Sequence, residues 1–279
     1  MTALGKGLYL VATPIGNARD ITLRALDVLG AADLLVAEDT RVLKRLLEIH
    51  GIPLGERRVW SYHDHSGAET RAAIAARIAE GAAVAYASDA GTPLIADPGY
   101  RLAAEIAEAG HPVTALPGAS ALLTALSLSG QPTDRFTFLG FPPKGAARRK
   151  LFESVAEMPG TLVFYESPHR IQETLGDAVA CFGGERPAAL CRELTKRFEE
   201  TRHAPLQALL DSVTDRPPKG EIVLVIGPAP VRGADPAAID GALRAALETM
   251  SRRDAVAEVV ARTGAPRNLV YRRALDLDD

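Results

Sequence analysis

Short runs of β-branched and leucine side chains alternate with helix-length stretches through the first half of the chain. The first run, Leu8-Tyr9-Leu10-Val11-Ala12, stops at Thr13-Pro14-Ile15-Gly16-Asn17, which its proline and glycine mark as a loop. A helix follows, with Leu23, Leu26 and Leu29 along one side and Gly30 as its predicted C-terminal cap. A strand over 34–37 leads through Glu38-Asp39-Thr40 into a helix that closes near Gly51. Ser66 and Glu69 stand three apart, the spacing of a capping box, ahead of a helix that ends before Gly81. A strand over 82–87 then runs into a loop over 88–99, and one more helix and a strand over 113–116 complete this half. The runs are near-continuously apolar rather than alternating, as in strands covered on both faces. With helices between them they predict a mostly parallel α/β sheet. Ligands of such sheets sit beyond the carboxyl ends of the strands. That rule puts four loops in one row: 13–17, 38–41, 88–99 and 117–120.

The second half carries candidate strands at 136–139, 161–165, 188–191, 198–203 and 221–226. Only Arg192 to Arg197 separate the third from the fourth, too few residues for a helical crossover, so these two predict an antiparallel hairpin and a mixed sheet. Residues 227–238 hold Pro228, Pro230 and Pro236 with two glycines and read as a linker. Three helical stretches follow. Ala255, Val256, Val259 and Val260 make an apolar stripe, Thr263-Gly264-Ala265 a turn, and Pro266 can open a helix bearing Leu269, Val270 and Leu275, the proportions of a helix-turn-helix. The predicted division is an N-terminal α/β domain over 1–117, a mixed α/β domain over 118–230 and a helical module over 237–279.

Composition narrows the class. The 279 residues are 47% hydrophobic and 24% charged, an ordinary globular balance. The net charge of −3 gives no global basic field, so a nucleic-acid partner requires local patches. Two cysteines, Cys181 and Cys191, exclude a disulfide scaffold and fit a reducing compartment. No apolar run approaches the roughly 18 residues of a membrane helix, and residues 1–7 lack the pattern of a secretion signal. Together these features predict a soluble cytoplasmic protein.

The loops carry the candidate chemistry. The first has one glycine, so it is neither a dinucleotide fingerprint nor a lysine-bearing phosphate loop. Its proline suits a ligand that presents flat, apolar parts, though on spacing alone a plain β–α turn is the better account. The loop over 88–99 has twelve residues with two prolines and two glycines, long for a strand-to-helix connection and stiffened into a fixed shape. Asp89 in it can accept from ribose hydroxyls or an amine, and Asp97 can cap the next helix. In Tyr165-Glu166-Ser167-Pro168-His169-Arg170, Ser167 and Pro168 suit a helix start, while a salt bridge accounts for Glu166 and Arg170. Lys144, Arg148, Arg149 and Lys150 form one basic cluster, and Arg192, Lys196 and Arg197 a second. Residues 252–273 hold six arginines against Asp254 and Glu258, a local excess of four positive charges. A solvated face explains such runs as readily as phosphate contacts do. His63-Asp64-His65 lacks further partners at metal-site spacing, so no metal is expected. Cys191 lies in a predicted strand and reads as core.

Several of these motifs, in order, resemble those of the ribosomal RNA small subunit methyltransferase I family of the tetrapyrrole methylase (class III) superfamily. They are Val11-Ala12-Thr13-Pro14-Ile15-Gly16-Asn17 with Asp20-Ile21-Thr22, Ala37-Glu38-Asp39-Thr40-Arg41, Ser88-Asp89-Ala90-Gly91-Thr92-Pro93, Pro117-Gly118-Ala119-Ser120-Ala121, residues 164–170 and Arg192-Glu193-Leu194-Thr195-Lys196. The resemblance spans residues 7–228, and the tail is similar to that family's helix-turn-helix extension. It implies two α/β domains with S-adenosylmethionine in the cleft between them, and methyl transfer to the ribose 2′-hydroxyl of a cytidine in the decoding centre of 16S rRNA, within the small ribosomal subunit. It also suggests a homodimer. Relatives on tetrapyrrole substrates usually carry a glycine-rich first loop, which this chain lacks.

The resemblance further implies that the cofactor lies against Pro14, Ser88, Asp89, Ala90, Gly91, Thr92 and Ile95, with Ser120, Ala121, Tyr165, Glu166, Leu194 and Gly220. A ribose hydroxyl needs to lose its proton, so a base helps. Asp39, Glu166, Glu193 and Lys196 are the candidates, with Lys196 beside Glu193 preferred and Asp39 retained. A lysine base needs burial or a cationic neighbour to lower its pKa. Arg41, Lys144, Arg148, Arg149, Lys150, Arg170, Arg267 and Arg272 are the expected RNA contacts. Two alternatives stand beside this reading: methylation of a tetrapyrrole or other small acceptor, and a non-catalytic, ligand-sensing nucleic-acid binder.

Overall fold

Strands β1 (Gly7–Val11), β2 (Leu34–Ala37), β3 (Val59–Ser61), β4 (Ala83–Ala87) and β5 (Val113–Leu116) form a wholly parallel sheet in the order β3-β2-β4-β1-β5. The computed structural model describes residues 4–63, 66–96, 99–229, 236–265 and 267–277. Helices α1 (Leu23–Ala31) and α2 (Thr40–Ile49) cover one face of this sheet, where Val28, Leu29, Leu43 and Leu47 pack on Val11, Leu35, Ala85 and Ala87. Helices α3 (Ala68–Ala79) and α4 (Tyr100–Glu108) cover the other, with Ile74, Ile78, Leu102 and Ile106 against Leu8, Leu10, Val36, Val84 and Tyr86. Neighbours in a strand thus feed opposite cores, which is why the runs read as continuously apolar.

Helix α5 (Ala121–Leu128) leads into a second sheet. Its strands are β6 (Phe136–Phe138), β7 (Thr161–Glu166), β8 (Pro187–Arg192), β9 (Glu200–Pro205) and β10 (Ile222–Ile226), in the order β6-β7-β10-β8-β9. Only β6 and β7 pair in parallel, and β8–β9 is the antiparallel hairpin anticipated from the short gap. On one face Leu122, Ala125 and Leu126 of α5 pack on Val163, Cys191, Val223 and Val225. Helices α6 (Ala146–Val155) and α7 (Ile171–Phe182) bring aromatic rings to the other, where Phe152 lies 5.3 Å from Phe164 and 5.1 Å from Phe182. Helix α8 (Leu206–Asp215) packs on α7 and β9. Both sheets belong to one compact unit, Met1–Val155 with Gly160–Gly227.

A second unit comprises Ala156–Pro159 and Pro228–Asp279. Its helices are α9 (Pro236–Leu247), α10 (Arg252–Thr263) and α11 (Arg267–Asp276), packed around Ile239, Leu243, Val256, Val259 and Val270. The Ser251 hydroxyl caps α10 by accepting from the Asp254 N–H, and Gly264 ends that helix at φ +67°. Pro266 lies outside the described residues.

Four local expectations are corrected. Strand β3 was not anticipated: three half-exposed residues after Arg57-Arg58 give no apolar run. Gly30 lies inside α1, whose C-cap is Ala32. Ser66 does not cap α3; its hydroxyl accepts from the His63 N–H, and Gly67 is the N-cap. Helix α7 begins at Ile171 behind a turn in which Arg170 N–H bonds the Ser167 carbonyl, so Ser167 and Pro168 stand ahead of the helix. Asp97, the expected cap of α4, lies outside the described residues.

Candidate active site

The loops after β1 and β4, neighbours at the sheet centre, are zipped together beyond the strand ends. Thr13 and Gly91 exchange both backbone hydrogen bonds, at 2.9 and 3.0 Å. The Thr13 hydroxyl donates to the Ser88 carbonyl at 3.0 Å, and the Ser88 hydroxyl to that of Gly91 at 2.9 Å. Thr92 donates to Ala119 at 3.0 Å, which draws in the loop after β5. These hydrogen bonds tie the three loops into one rim.

This rim is locked to the second sheet. Ile15, 8% exposed, leaves the first lobe and inserts into the core under β8 and β10. Asn17 N–H donates to Thr195 Oγ1 at 3.0 Å, and Leu122 N–H to the Tyr165 hydroxyl at 3.1 Å. Gly16 permits the approach: a Cβ there would lie 2.5 Å from Lys196 Cγ. Tyr165 is held between Phe138 and Phe141, at ring distances of 4.8 and 5.6 Å.

Between rim and sheet lies a cavity of about 660 Å³. Of the residues expected to hold the cofactor, Asp89, Ala90, Gly91, Thr92 and Ile95 line it from the first lobe, and Ser120, Ala121, Tyr165, Glu166 and Gly220 from the side of the second. Pro14 and Ser88 line a second cavity of about 580 Å³ instead. Leu194 lines neither; it is buried in the core beneath. Phe141, Ile222 and Val223 also line the first cavity and were missed. Phe141 is a lone aromatic between Gly140 and Pro142 with no pattern around it; Ile222 and Val223 read simply as strand core.

The two cavities share Ile15, Asp89, Ala90, Lys196 and Glu221. Lys196 Nζ donates to Glu221 at 2.8 Å and to Glu193 at 3.1 Å. Burial, the largest single influence, pushes the Lys196 pKa down, but the bonds and charges of Glu221 and Glu193 together carry it above the ordinary lysine value. Burial likewise raises Glu193, and Lys196, the Glu221 N–H and Arg192 more than offset it, leaving the carboxyl below its usual range. Glu193 (φ +50°) and Thr195 (φ +64°) hold left-handed conformations, local strain concentrated on the segment that positions Lys196.

Several expected roles are taken up structurally. Asp39 caps α2 on the Arg41 N–H at 2.8 Å and pairs with the Arg41 guanidinium at 2.6 Å. The side-chain bond from Arg41 is the main reason its pKa falls to about 2, which makes it a weak base. Glu166 is 2% exposed and accepts from Ser167 N–H (2.8 Å) and the Thr174 hydroxyl (2.5 Å), so it anchors α7 more than it offers a proton acceptor. Arg170 turns inward to the carbonyls of Pro142 and Pro143 and to Glu166, and is corrected from an RNA contact to a clamp on the Phe141 loop. Arg148 is corrected too. It is 3% exposed and donates to Asp177 at 2.6 Å and to Thr174 at 3.0 Å.

Breaking one side of a buried pair typically costs 3–5 kcal/mol. Arg148→Ala is therefore expected to lower unfolding free energy by about 3 kcal/mol in urea titrations, against about 0.5 kcal/mol for exposed Lys150→Ala. Equal, small losses would show that the Arg148 network contributes nothing. Lys144, Arg149 and Lys150 stay exposed, as do Arg41, Arg267 and Arg272. Arg273 instead pairs with Asp240 inside the helical module, at 2.7 and 2.8 Å.

Cys191 is fully buried in β8, and burial pushes its thiol pKa up. Among the described residues no group of three or more His, Cys, Asp or Glu could hold a metal; Asp64 and His65 lie outside them. No helix among them is long and apolar enough to cross a membrane.

Two α/β lobes locked around a cleft at the strand ends define a class of enzyme. The family model described as "Tetrapyrrole (Corrin/Porphyrin) Methylases" matches residues 7–210. A conserved hypothetical protein of Aeropyrum pernix K1 shares the fold at a TM-score of 0.63 and 20% identity, covering 97% of this chain and 96% of its own. So does uroporphyrin-III C-methyltransferase of Thermus thermophilus, solved with S-adenosylhomocysteine, at a TM-score of 0.55 and 20% identity over 79% of this chain and 97% of its own. Residues 233–278 match the model described as "RsmI C-terminal HTH domain". Ribosomal RNA small subunit methyltransferase I of Mesorhizobium japonicum is 48% identical over 99% of this chain and 94% of its own length. The chain belongs to the ribosomal RNA small subunit methyltransferase I family within the tetrapyrrole methylases, and is an S-adenosylmethionine-dependent methyltransferase.

The cavity suits that cofactor. Its size lies in the range of small-molecule sites, roughly 300–1,000 Å³. Ile15, Ile95, Ala121 and Val223 offer apolar walls for a flat base. Asp89, with one oxygen accepting from Asp39 N–H at 2.8 Å, offers the other to hydroxyls or an amine.

Proposed function

We propose that the protein methylates the ribose 2′-hydroxyl of a cytidine in the decoding centre of 16S rRNA. The observation that carries the reading is the junction of the two cavities along Asp89-Ala90 and Lys196–Glu221. An acceptor in the second cavity meets the donor in the first at that line. The second cavity has arginines, Arg41 and Arg45, beside partly exposed Val42 and Ile49 and the ring of Pro14, a surface for a sugar-phosphate with a flat, apolar part.

When bound, the cofactor supplies a methyl group already activated by its sulfonium. The residues of the chain then have to orient and deprotonate the acceptor. The fixed rim from Ser88 to Thr92, with Ser120, Ala121, Tyr165 and Gly220, holds the donor. Lys196, held by Glu193, takes the proton from the 2′-hydroxyl. Its ammonium must first lose a proton, which the Glu193 and Glu221 carboxylates oppose, so the reactive form gains as pH rises. Asp39 positions Arg41 at the acceptor cavity.

In this reading residues 1–117 and 118–230 form the two sides of the cleft, and 237–279 contact RNA through Arg267 and Arg272, aided by Lys144, Arg149 and Lys150. Membership of the family supports 16S rRNA within the small subunit as substrate, a cytoplasmic reaction and a homodimer.

Ribose-methylation mapping of 16S rRNA from cells with and without the protein tests the proposal. Loss of one decoding-centre cytidine mark, restored by the intact gene, is expected. An unchanged methylation map, or transfer by the purified protein to tetrapyrroles but not to small subunits, would overturn it.

A further inference from the structure

A basic, aromatic hollow of about 410 Å³ lies just beyond the wall of the cleft. Arg192 at the end of β8, Arg202 in β9, and Arg216 and Lys219 after α8 supply its charge. Phe198 and the Pro217-Pro218 pair supply its apolar sides. Arg192 and Arg202 share one carboxylate, Glu200, at 2.5 and 2.8 Å. Four cations therefore meet a single anion. Arg216 and Lys219 are exposed and, among the described residues, have no carboxylate partner.

Its distance from the cleft is fixed by chain connectivity. Arg192 lines the hollow and Glu193 the cleft; Lys219 lines the hollow and Gly220 the cleft. Consecutive Cα atoms are about 3.8 Å apart, so the wall is one residue thick at both places. Arg192 Nη1 donates to the Lys219 carbonyl at 3.3 Å and ties the two segments together.

The contents match one kind of ligand. Phe198 is 61% exposed with the Arg197 guanidinium 5.4 Å from its ring centre. An exposed ring among cations that outnumber their carboxylate partners is the pattern of surfaces that stack a base and hold the phosphates of a single strand. We propose that the hollow seats a nucleotide next to the acceptor in the same RNA strand, with its base on Phe198 and its phosphates against Arg216 and Lys219. The inference rests on the rRNA reading and extends it to a flanking-nucleotide site.

The test compares the full-length protein with Phe198→Ala and with Arg216→Ala/Lys219→Ala. Binding is measured to a single-stranded oligoribonucleotide carrying the decoding-centre sequence over a range of salt, and cofactor binding by calorimetry. Phe198→Ala is expected to weaken RNA binding about tenfold, with an unchanged salt slope. The double variant should reduce the slope of log affinity against log salt by about 1.4, two phosphates at about 0.7 each. Cofactor affinity should stay unchanged in both. Equal RNA affinity and slope in all three proteins would overturn the site while leaving the methylation reading intact. So would a loss seen with assembled subunits but not the oligoribonucleotide, which assigns the hollow to a ribosomal protein, or a matching loss of cofactor binding, which marks a structural effect. A native protein that neither binds nor methylates rRNA would overturn both.

Discussion

Gly220→Ala is expected to weaken S-adenosylmethionine binding by about 10- to 100-fold. Gly220 has φ +86°, and a Cβ built there falls 2.2 Å from Glu193 Oε1 and 2.3 Å from its Cδ. The carboxylate has to move. It accepts from the Glu221 N–H at 3.1 Å and from Lys196 Nζ at 3.1 Å, and loss of the first of these bonds frees the 220–221 backbone at the floor of the cavity. A hydrogen bond to a charged group contributes about 1.5–3 kcal/mol, and 1.4 kcal/mol is tenfold in affinity. The left-handed backbone adds a stability cost of roughly 1–2 kcal/mol. Gly51→Ala isolates that second effect, because Gly51 has φ +65° and nothing within 4 Å of its Cβ position. Calorimetry should find the cofactor affinity of Gly51→Ala unchanged. Equal affinities for the two variants would show that the Glu193 carboxylate has no part in holding the site.

Lys196→Met is expected to lower kcat by about 10²- to 10⁴-fold, the usual contribution of a positioned base, with cofactor affinity within about threefold. The pH profile separates this role from simple packing. Two carboxylates hold the Lys196 pKa above its ordinary value, despite burial, so near neutral pH almost all of the free protein carries the ammonium. The reactive neutral fraction grows about tenfold per pH unit below that pKa, and kcat/KM should rise at that rate from pH 7 to 9. The variant should lose this alkaline rise. If Lys196→Met keeps the rise, or loses less than about fivefold in kcat, the proton goes elsewhere. Glu193 is then the next candidate, since Asp39, held at about 2 by Arg41, is too weak a base.

The alternation of strand and helix was readable because each buried parallel strand needs apolar residues on both faces, as in Ala83–Ala87. The hairpin was readable from its loop length alone. β3 was not, because an edge strand of three half-exposed residues carries no periodicity. The capping errors share a cause: Ser66, Ser167 and Gly30 are the right residue types, but the neighbouring backbone decides which of several carbonyls and N–H groups they meet. Most of the lining of the first cavity was legible in the motifs, since residues 89–92 lie on a loop whose shape is written into proline and glycine positions and Ser120-Ala121 stand at the start of α5. The basic cluster was misjudged at Arg148. Its spacing from Phe152 and Val155, four and seven residues along one helix face, already put it on the buried side of α6. A count of charges ignores that face. Phe141 was overlooked because it stands alone in a loop, where no pattern distinguishes a ligand wall from an incidental aromatic.

Strand β10 is the last of its sheet to be synthesised, yet it occupies the middle position, between β7 and β8. Until residue 226 leaves the ribosome the nascent chain holds two separate strand pairs, each with an open edge, while every strand of the first sheet is already present. Vectorial synthesis therefore completes one lobe early and holds the other unfinished to the end. A premature stop before Ile222 leaves edges suited to pairing with other chains, and the cofactor has no complete wall to bind until translation of that strand is finished.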